Sequence, residues 1–167
     1  MSIKEEVEVL RNIPLFAKLE PAKLKLLAFT SERLTYEGGQ PLFQQGDMGD
    51  AAYIVMEGAA DVLINTPKGQ VKVATLGKHQ IIGEIAILCD VPRTATVTAN
   101  QHTVALRINK DTFFRLVTEF PQMSVEIMRE LARRLDKTNE QLRQAVAKDR
   151  KSTRLNSSHG YISYAVF

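Results

Sequence analysis

The chain has 167 residues, of which 44% are hydrophobic and 25% are charged, the balance of one ordinary globular domain with or without an extension. It has no run of the roughly 20 apolar residues that a membrane span needs, and no apolar run follows a basic start at the N-terminus, so neither a membrane partner nor a secretory signal is expected. A single cysteine, Cys89, excludes an intrachain disulfide and any metal site built from several cysteines. The expected location is therefore the cytoplasm.

The net charge of +3 arises at one end of the chain. Residues 148–167 contain four cations and one anion, whereas the other 147 residues contain 18 cations and 18 anions. A neutral body lacks the electrostatic footprint of a nucleic-acid binder. After residue 148 nothing supplies the two helices and turn of a helix-turn-helix reader, so no DNA-binding domain is expected in this chain.

Residues 1–32 predict an N-terminal helical bundle. Their apolar side chains recur at spacings of three and four, and Pro14 and Pro21 divide the segment into short helices. Pro21 suits the first turn of a helix that runs to about Glu32.

Residues 33–110 predict a β-barrel or sandwich. Short β-rich runs alternate with glycine-containing turns, and no helix-length segment separates successive strands, which argues against a βαβ fold. The turn at 66–69 is predicted to form a hairpin. The predicted strands cover 53–56, 60–64, 71–74, 81–82, 94–98 and 103–108.

Residues 111–148 are predicted to be helical again. Asp111 is expected to cap a short helix that ends near Pro121, and a second helix is expected over 122–147. Its apolar residues follow a heptad-like rhythm with Thr138 as a polar member, so the helix either packs only on its own barrel or also pairs with a second copy in a homodimer. The apolar members are Met128, Leu131, Leu135, Leu142 and Ala145.

Residues 149–167 fit neither pattern. They are polar at first, and 161–167 form an uncharged, β-prone end of the kind that promotes aggregation. The segment resembles translated sequencing adapter and is interpreted as a non-native tail. A genuine tail strand is the alternative.

The segment 83–97 carries the most specific chemistry. Gly83 permits a tight turn after the 81–82 strand, and residues 84–88 form one helical turn whose first amides are free to hold an anion. Arg93 presents a planar fork that suits phosphate oxygens. The carboxylate of Glu84 repels phosphate and suits a hydroxyl donor instead, such as a ribose. Together these groups describe a site for a phosphorylated sugar with a free hydroxyl.

This segment resembles the phosphate-binding cassette of the cyclic nucleotide-binding domain family. The family pattern is Gly-Glu-apolar-small-apolar, followed by Arg-(Ser/Thr/Ala)-Ala-x-Val. In this chain the first part begins at Gly83, and the second begins at Arg93, nine residues after Glu84. Segment 43–58 is similar to the glycine-bearing first hairpin of the family, and the resemblance covers about residues 10–147. It implies a mainly β fold with flanking helices: a β-roll or jelly-roll barrel (double-stranded β-helix) with N-terminal helices and a long C-terminal helix.

The resemblance also implies a ligand site for cAMP or cGMP. Glu84 would accept a hydrogen bond from the ribose 2′-hydroxyl, and Arg93 would pair with an exocyclic phosphate oxygen. The amides of Ala86 and Ala95 would hold the phosphate, and the hydroxyl of Thr94 would touch phosphate or base. The implied ligand-binding residues are Val73, Gly83, Glu84, Ile85, Ala86, Arg93, Thr94, Ala95, Arg134, Thr138 and Asn139.

Within the family, segment 132–139 is most similar to the central helix of the bacterial catabolite activators. Carried over, Arg134 pairs with Glu84, Thr138 bonds the adenine amino group, and Asn139 reaches the base in a partner subunit. Two plainer interpretations stay open: Arg134 as a solvated helix charge, and Thr138 as a polar residue that sets helix register. Thr138 favours cAMP, whereas a threonine at position 94 keeps cGMP possible.

The expected function is a regulatory sensor and not an enzyme. A metal enzyme on such a barrel needs clustered histidines, but His79, His102 and His159 are far apart in the sequence, so no metal or cofactor is expected. One hypothesis is a stand-alone sensor that acts on an unidentified effector protein, or through its own dimer, by ligand-driven closure of the C-terminal hinge and lid helices in 111–148. The alternative is the sensor half of a truncated transcription regulator.

Overall fold

The computed structural model of the protein describes residues 2–152, with side chains described as far as residue 148. The predicted non-native tail at 149–167 therefore lies outside the residues whose side chains are described. From residue 153 onward its backbone lies outside the described residues as well.

The N-terminal segment forms short helices, as the prolines predict. Helix α1 spans Ile3–Arg11, a 3₁₀ turn spans Pro14–Phe16, and α2 spans Pro21–Thr30. The Ser2 hydroxyl caps α1 by accepting a hydrogen bond from the amide of Glu5, which satisfies one of the free amides of the first turn.

Eight strands follow in two antiparallel sheets of four, ordered β1-β8-β3-β6 and β2-β7-β4-β5. The predicted 66–69 hairpin is present between β4 and β5. This arrangement, with flanking helices and a long C-terminal helix, confirms the mainly β roll. The strands are β1 Glu32–Tyr36, β2 Pro41–Phe43, β3 Ala51–Glu57, β4 Ala60–Thr66, β5 Gly69–Leu76, β6 Ile81–Ile82, β7 Thr96–Ala99 and β8 Thr103–Asn109.

Strand β3 lies between two hydrophobic cores. Ala52, Ile54 and Met56 pack with the N-terminal and C-terminal helices, whereas the alternate residues Tyr53 and Val55 pack between the two sheets. Since both faces are covered, the strand is buried along nearly its whole length and needs no polar alternation. It thereby fixes the helices and the roll to each other.

Two predicted strand features differ from the structure. Strand β7 begins at Thr96 and not at 94, because the backbone of Arg93 bonds to the preceding loop: its amide donates to Asp47, and its carbonyl accepts from Gly46. Strands β1 and β2 were not predicted. Both are largely exposed and short, so they lack the apolar run on which strand prediction depends.

The predicted helix cap at Asp111 is wrong. Helix α4 spans Lys110–Glu119 and is capped by Asn109, whose side-chain oxygen accepts a hydrogen bond from the amide of Thr112 at 2.9 Å. Strand β8 ends at Asn109 in extended backbone, the conformation a cap residue requires. Asp111 lies instead in the first turn.

Helix α5 spans Pro121–Ser152 and is longer than predicted at both ends. Its core-facing stripe begins with Met123 and Ile127 and continues to the half-buried Leu131. Of the predicted stripe, Leu131 packs against this core, Leu142 and Ala145 are half-buried, and Met128 and Leu135 are 59% and 39% exposed. The helix therefore packs on its own domain through one face and leaves apolar side chains on another.

Adjacent phenylalanines in α4 test this core. Phe113 is fully buried among the helices, whereas Phe114 is 37% exposed. Phe113→Ala is expected to lower the free energy of unfolding by about 3–5 kcal/mol, because it leaves a cavity where the helices meet the first sheet. Phe114→Ala is the matched control, with an expected change of about 1 kcal/mol or less. Urea denaturation followed by circular dichroism measures both, and equal losses would contradict this assignment of the core.

Candidate functional site

A glycine turn positions the site. Strand β6 ends at Ile82, Gly83 adopts a left-handed φ of 82°, and the one-turn helix α3 spans Glu84–Leu88. A side chain at position 83 would strain the backbone and would place its Cβ 2.5 Å from Nη1 of Arg93. Only glycine therefore admits this turn with the arginine packed against it.

The Arg93 side chain is buried beside this turn, and the residue is 3% exposed. Its Nη1 donates to the carbonyl oxygen of Gly83 and its Nη2 to that of Ala51, both at 2.7 Å. Asp50 Oδ1 lies 3.5 Å from Nη2, and the Phe43 ring lies 4.1 Å from the guanidinium carbon. Burial lowers the pKa of Arg93, while the Tyr53 and Asp50 side chains oppose that shift. The backbone and these neighbours thus hold a desolvated cation in place.

Glu84 is the second buried charge, with 0% exposure. Its Oε1 accepts a hydrogen bond from Nη1 of Arg134 at 2.9 Å, and Nη2 of Arg134 also donates to the carbonyl of Ile81. Its Oε2 is buried and has no hydrogen-bond partner among the described residues. Desolvation raises the pKa of Glu84 to about 7, although the Arg134 cation opposes the rise. The carboxyl therefore has one oxygen bonded to α5 and one oxygen that is buried without a partner among the described residues.

The expected pairing of Arg134 with Glu84 is thus formed, and Arg134 is buried rather than a solvated helix charge. The pair joins α3 to α5 across 50 residues of sequence. On the same side of α5, Glu130 lies 3.4 Å from Nε of Arg134 and accepts a hydrogen bond from Gln80. Helix α5 is therefore attached to the cassette through side chains as well as through its apolar face.

Six of the predicted residues line one small pocket that opens to solvent. Arg93 is the only charged side chain in its lining, and the other walls are mostly apolar. Such a pocket favours a compact anion with an apolar portion. The lining residues are Phe43, Val62, Ile82, Gly83, Ile85, Ala86, Arg93, Thr94, Ala95 and Val97.

Five predicted ligand residues do not line this pocket: Glu84 and Arg134, which form the buried pair, and Val73, Thr138 and Asn139. Val73 is half-buried and packs against the core between the two sheets. Thr138 is half-buried on α5, and Asn139 is exposed. Thr138 lies one helical turn beyond Arg134, on the same face of α5. Their contacts with a base remain predictions.

Sequence reasoning missed the site roles of Phe43 and Asp50. They reach Arg93 from 50 and 43 positions earlier in the chain, so no local spacing connects them. The only available signal was their place in the glycine-bearing hairpin.

Two further features are absent from the described residues. Within 2–152 no group of histidine, cysteine, aspartate and glutamate side chains is arranged to hold a metal ion. No helix in that part of the chain combines the length and apolarity needed to cross a bilayer.

Comparison with known proteins places this geometry in a family. The profile described as cyclic nucleotide-binding domain matches residues 33–120. The CRP-like cAMP-activated global transcriptional regulator of Mycobacterium tuberculosis is 27% identical over 143 residues, which cover 85% of this chain and 64% of the regulator.

Two solved structures are also similar. The Thermus thermophilus catabolite activator protein matches with a TM-score of 0.68 and 29% identity, over 79% of this chain and 62% of that one. A cAMP-binding acyltransferase from Mycobacterium smegmatis matches with a TM-score of 0.71 and 28% identity, over 81% of this chain and 42% of that one.

The fold and the profile match together define a β-roll regulatory domain. The chain belongs to the cyclic nucleotide-binding domain family. It spans less than two-thirds of the length of each of these three relatives.

The raised pKa of Glu84 predicts a pH dependence. Since folding raises this pKa from 4.5 to about 7, the folded chain holds a proton that the unfolded chain releases between those values. The contribution of Glu84 to stability is therefore complete below about pH 4.5 and is lost as the pH rises through about 7. Glu84→Gln removes this contribution, which is on the order of 3 kcal/mol when complete.

Urea unfolding of the wild-type chain and of Glu84→Gln between pH 5 and pH 8 measures the contribution of Glu84 to the free energy of unfolding. The wild-type chain should lose more stability than Glu84→Gln between pH 5 and 7, with parallel curves above that range. Parallel curves throughout would contradict the assigned protonation of Glu84.

Proposed function

We propose that this domain is a sensor that binds a cyclic nucleotide, with cAMP favoured over cGMP. The observation that carries the proposal is the burial of Arg93 and Glu84 on either side of the Gly83 turn, with Oε2 of Glu84 lacking a partner among the described residues. The cation suits a phosphate, and the free carboxylate oxygen suits a hydroxyl donor. A cyclic nucleotide carries both groups on one ring system, beside an apolar base.

The cassette backbone adds a second attraction for phosphate. Helix α3 begins directly after Gly83, and no side chain caps it. Its first amides therefore lack a side-chain acceptor, and Gly83, Ile85 and Ala86 line the pocket together with the Arg93 cation. Within this proposal the amides of Ala86 and Ala95 assist Arg93 in holding the phosphate.

The preference for cAMP rests on α5. Thr138 follows Arg134 by one turn, so closure of α5 over the pocket would bring its hydroxyl toward an adenine amino group. Thr94 lines the pocket and is exposed, which keeps its hydroxyl available to a guanine. Asn139 is exposed on α5 and would serve a nucleotide bound in a partner subunit.

Ligand-driven movement of α5 is the proposed output. One carboxylate would bond the ligand through Oε2 and α5 through Oε1, so the ligand and the helix share a single group. A ligand that favours one position of this carboxylate shifts the population of α5 positions by its differential affinity. The exposed Val125, Met128 and Leu135 on α5 support a homodimer through this helix.

Two outputs remain candidates. A stand-alone sensor would act on an effector protein or through its dimer state, without enzymatic activity of its own. The sensor half of a transcription regulator is supported by the Mycobacterium tuberculosis relative, of which this chain spans 64%.

The coding sequence downstream of residue 148 in an intact genomic clone separates these outputs. A reading frame that continues into a helix-turn-helix segment is the result expected for a regulator. A stop codon within a few residues would contradict the regulator and support the stand-alone sensor.

Titration calorimetry of the full chain with cAMP and with cGMP tests the binding itself. We expect binding of both, with cAMP tighter. Arg93→Lys keeps the charge but loses the planar fork, and should weaken cAMP binding by about 10- to 100-fold. Arg129→Lys, on the exposed side of α5, is the matched control and should change affinity by about twofold or less. Absence of heat and of competition with either nucleotide would contradict the proposed function.

A further inference from the structure

Two aromatic rings enclose the Arg93 guanidinium. Its central carbon lies 4.1 Å from the Phe43 ring centroid and 5.9 Å from that of Tyr53. The two rings are themselves 5.7 Å apart and tilted by 39°. A desolvated cation over the face of an aromatic ring at this distance is attracted by the ring quadrupole.

We propose that Phe43 is a positioning residue for ligand binding: its ring holds the Arg93 guanidinium in the orientation that presents it to one exocyclic oxygen of the ligand phosphate. This inference rests on the proposed function. It assigns to Phe43 a role that acts through Arg93 and not through contact with the phosphate.

The hydrogen bonds of Arg93 do not by themselves fix the orientation of its guanidinium group. Nη1 and Nη2 donate to the carbonyls of Gly83 and Ala51, which directs the fork toward the backbone. These two hydrogen bonds fix where the edge formed by Nη1 and Nη2 points. They do not fix the rotation of the guanidinium plane about the line through those two atoms. The Phe43 ring, which lies under the guanidinium carbon at 4.1 Å, restrains this rotation as well. Nε of Arg93 has no hydrogen-bond partner among the described residues, so it adds no restraint.

Phe43 is itself held firmly enough to do this. It lies in β2 opposite Val97 of β7, and it lines the pocket together with Arg93. Two of its ring atoms lie 3.1 and 3.3 Å from the position that a Cβ on Gly83 would occupy. The ring, the guanidinium and the glycine backbone therefore form one packed unit, and Asp50 flanks its charged side.

The test uses cAMP and its two phosphorothioate diastereomers, in each of which sulfur replaces one exocyclic oxygen. A fixed guanidinium distinguishes the two, because sulfur is a poorer hydrogen-bond acceptor at the oxygen that Arg93 contacts. In Phe43→Leu the cation loses its ring. We expect cAMP affinity to fall about 5- to 30-fold and the ratio of affinities for the two diastereomers to fall toward 1. A merely structural role would weaken all three ligands alike and leave the ratio unchanged.

Two variants accompany this measurement in the full chain. Phe43→Tyr keeps the ring and should retain the wild-type ratio. Phe114→Leu makes the same change at a phenylalanine outside the pocket and should match wild type. If Phe43→Leu does not fold, Phe43→Met supplies the same loss of the ring with a flexible apolar side chain of similar volume.

The outcomes separate this inference from the proposed function. Wild-type binding with a diastereomer ratio that is lost in Phe43→Leu and kept in Phe43→Tyr supports the positioning role. Wild-type binding with the same ratio in Phe43→Leu overturns the positioning role alone. No binding of any cyclic nucleotide to the wild-type chain overturns both.

Discussion

The burial of titratable side chains beside one glycine turn is the constraint on which the rest of this structure depends. A buried charge is costly unless it is paired or hydrogen-bonded, and three lie here: Glu84, Arg93 and Arg134. Arg134 bonds Glu84, while backbone carbonyls and an aromatic face hold Arg93. One oxygen of Glu84 remains without a partner among the described residues. An apolar turn of the same shape avoids this cost, so stability does not explain the arrangement, whereas the proposed ligand recognition does.

The roll and the helices supply these partners from distant parts of the chain. Strand β3 carries the Ala51 carbonyl that accepts from Arg93, and its other face packs against the helices. Helix α5 carries Arg134 and is seated on that helical core through Met123 and Ile127. The pairing of Arg134 with Glu84 therefore depends on both hydrophobic cores. In the proposed mechanism, a ligand-induced movement of Glu84 in the cassette moves α5 through this pairing with Arg134.

The cassette could be predicted from the sequence because it is local. Its turn and helix and its two charged residues lie within eleven positions, and each follows from a short-range rule. The contributions of Phe43 and Asp50 could not be predicted, because they meet Arg93 only once β2 and β3 are folded beside it. Likewise, the heptad rhythm of α5 indicated an apolar face but not which of its residues would meet the core: Leu131 does, whereas Met128 and Leu135 are exposed. Register of that kind is decided by tertiary packing and not by periodicity.

The most direct test of the central claim is a crystal structure of the full chain grown with cAMP. The account predicts an exocyclic phosphate oxygen within hydrogen-bond distance of Arg93 and the ribose 2′-hydroxyl donating to Oε2 of Glu84. It also predicts that Oε1 still accepts from Arg134. A nucleotide bound outside the pocket lined by Gly83, Ile85, Ala86 and residues 93–95, or bound there with Oε2 of Glu84 still lacking a donor, would contradict it.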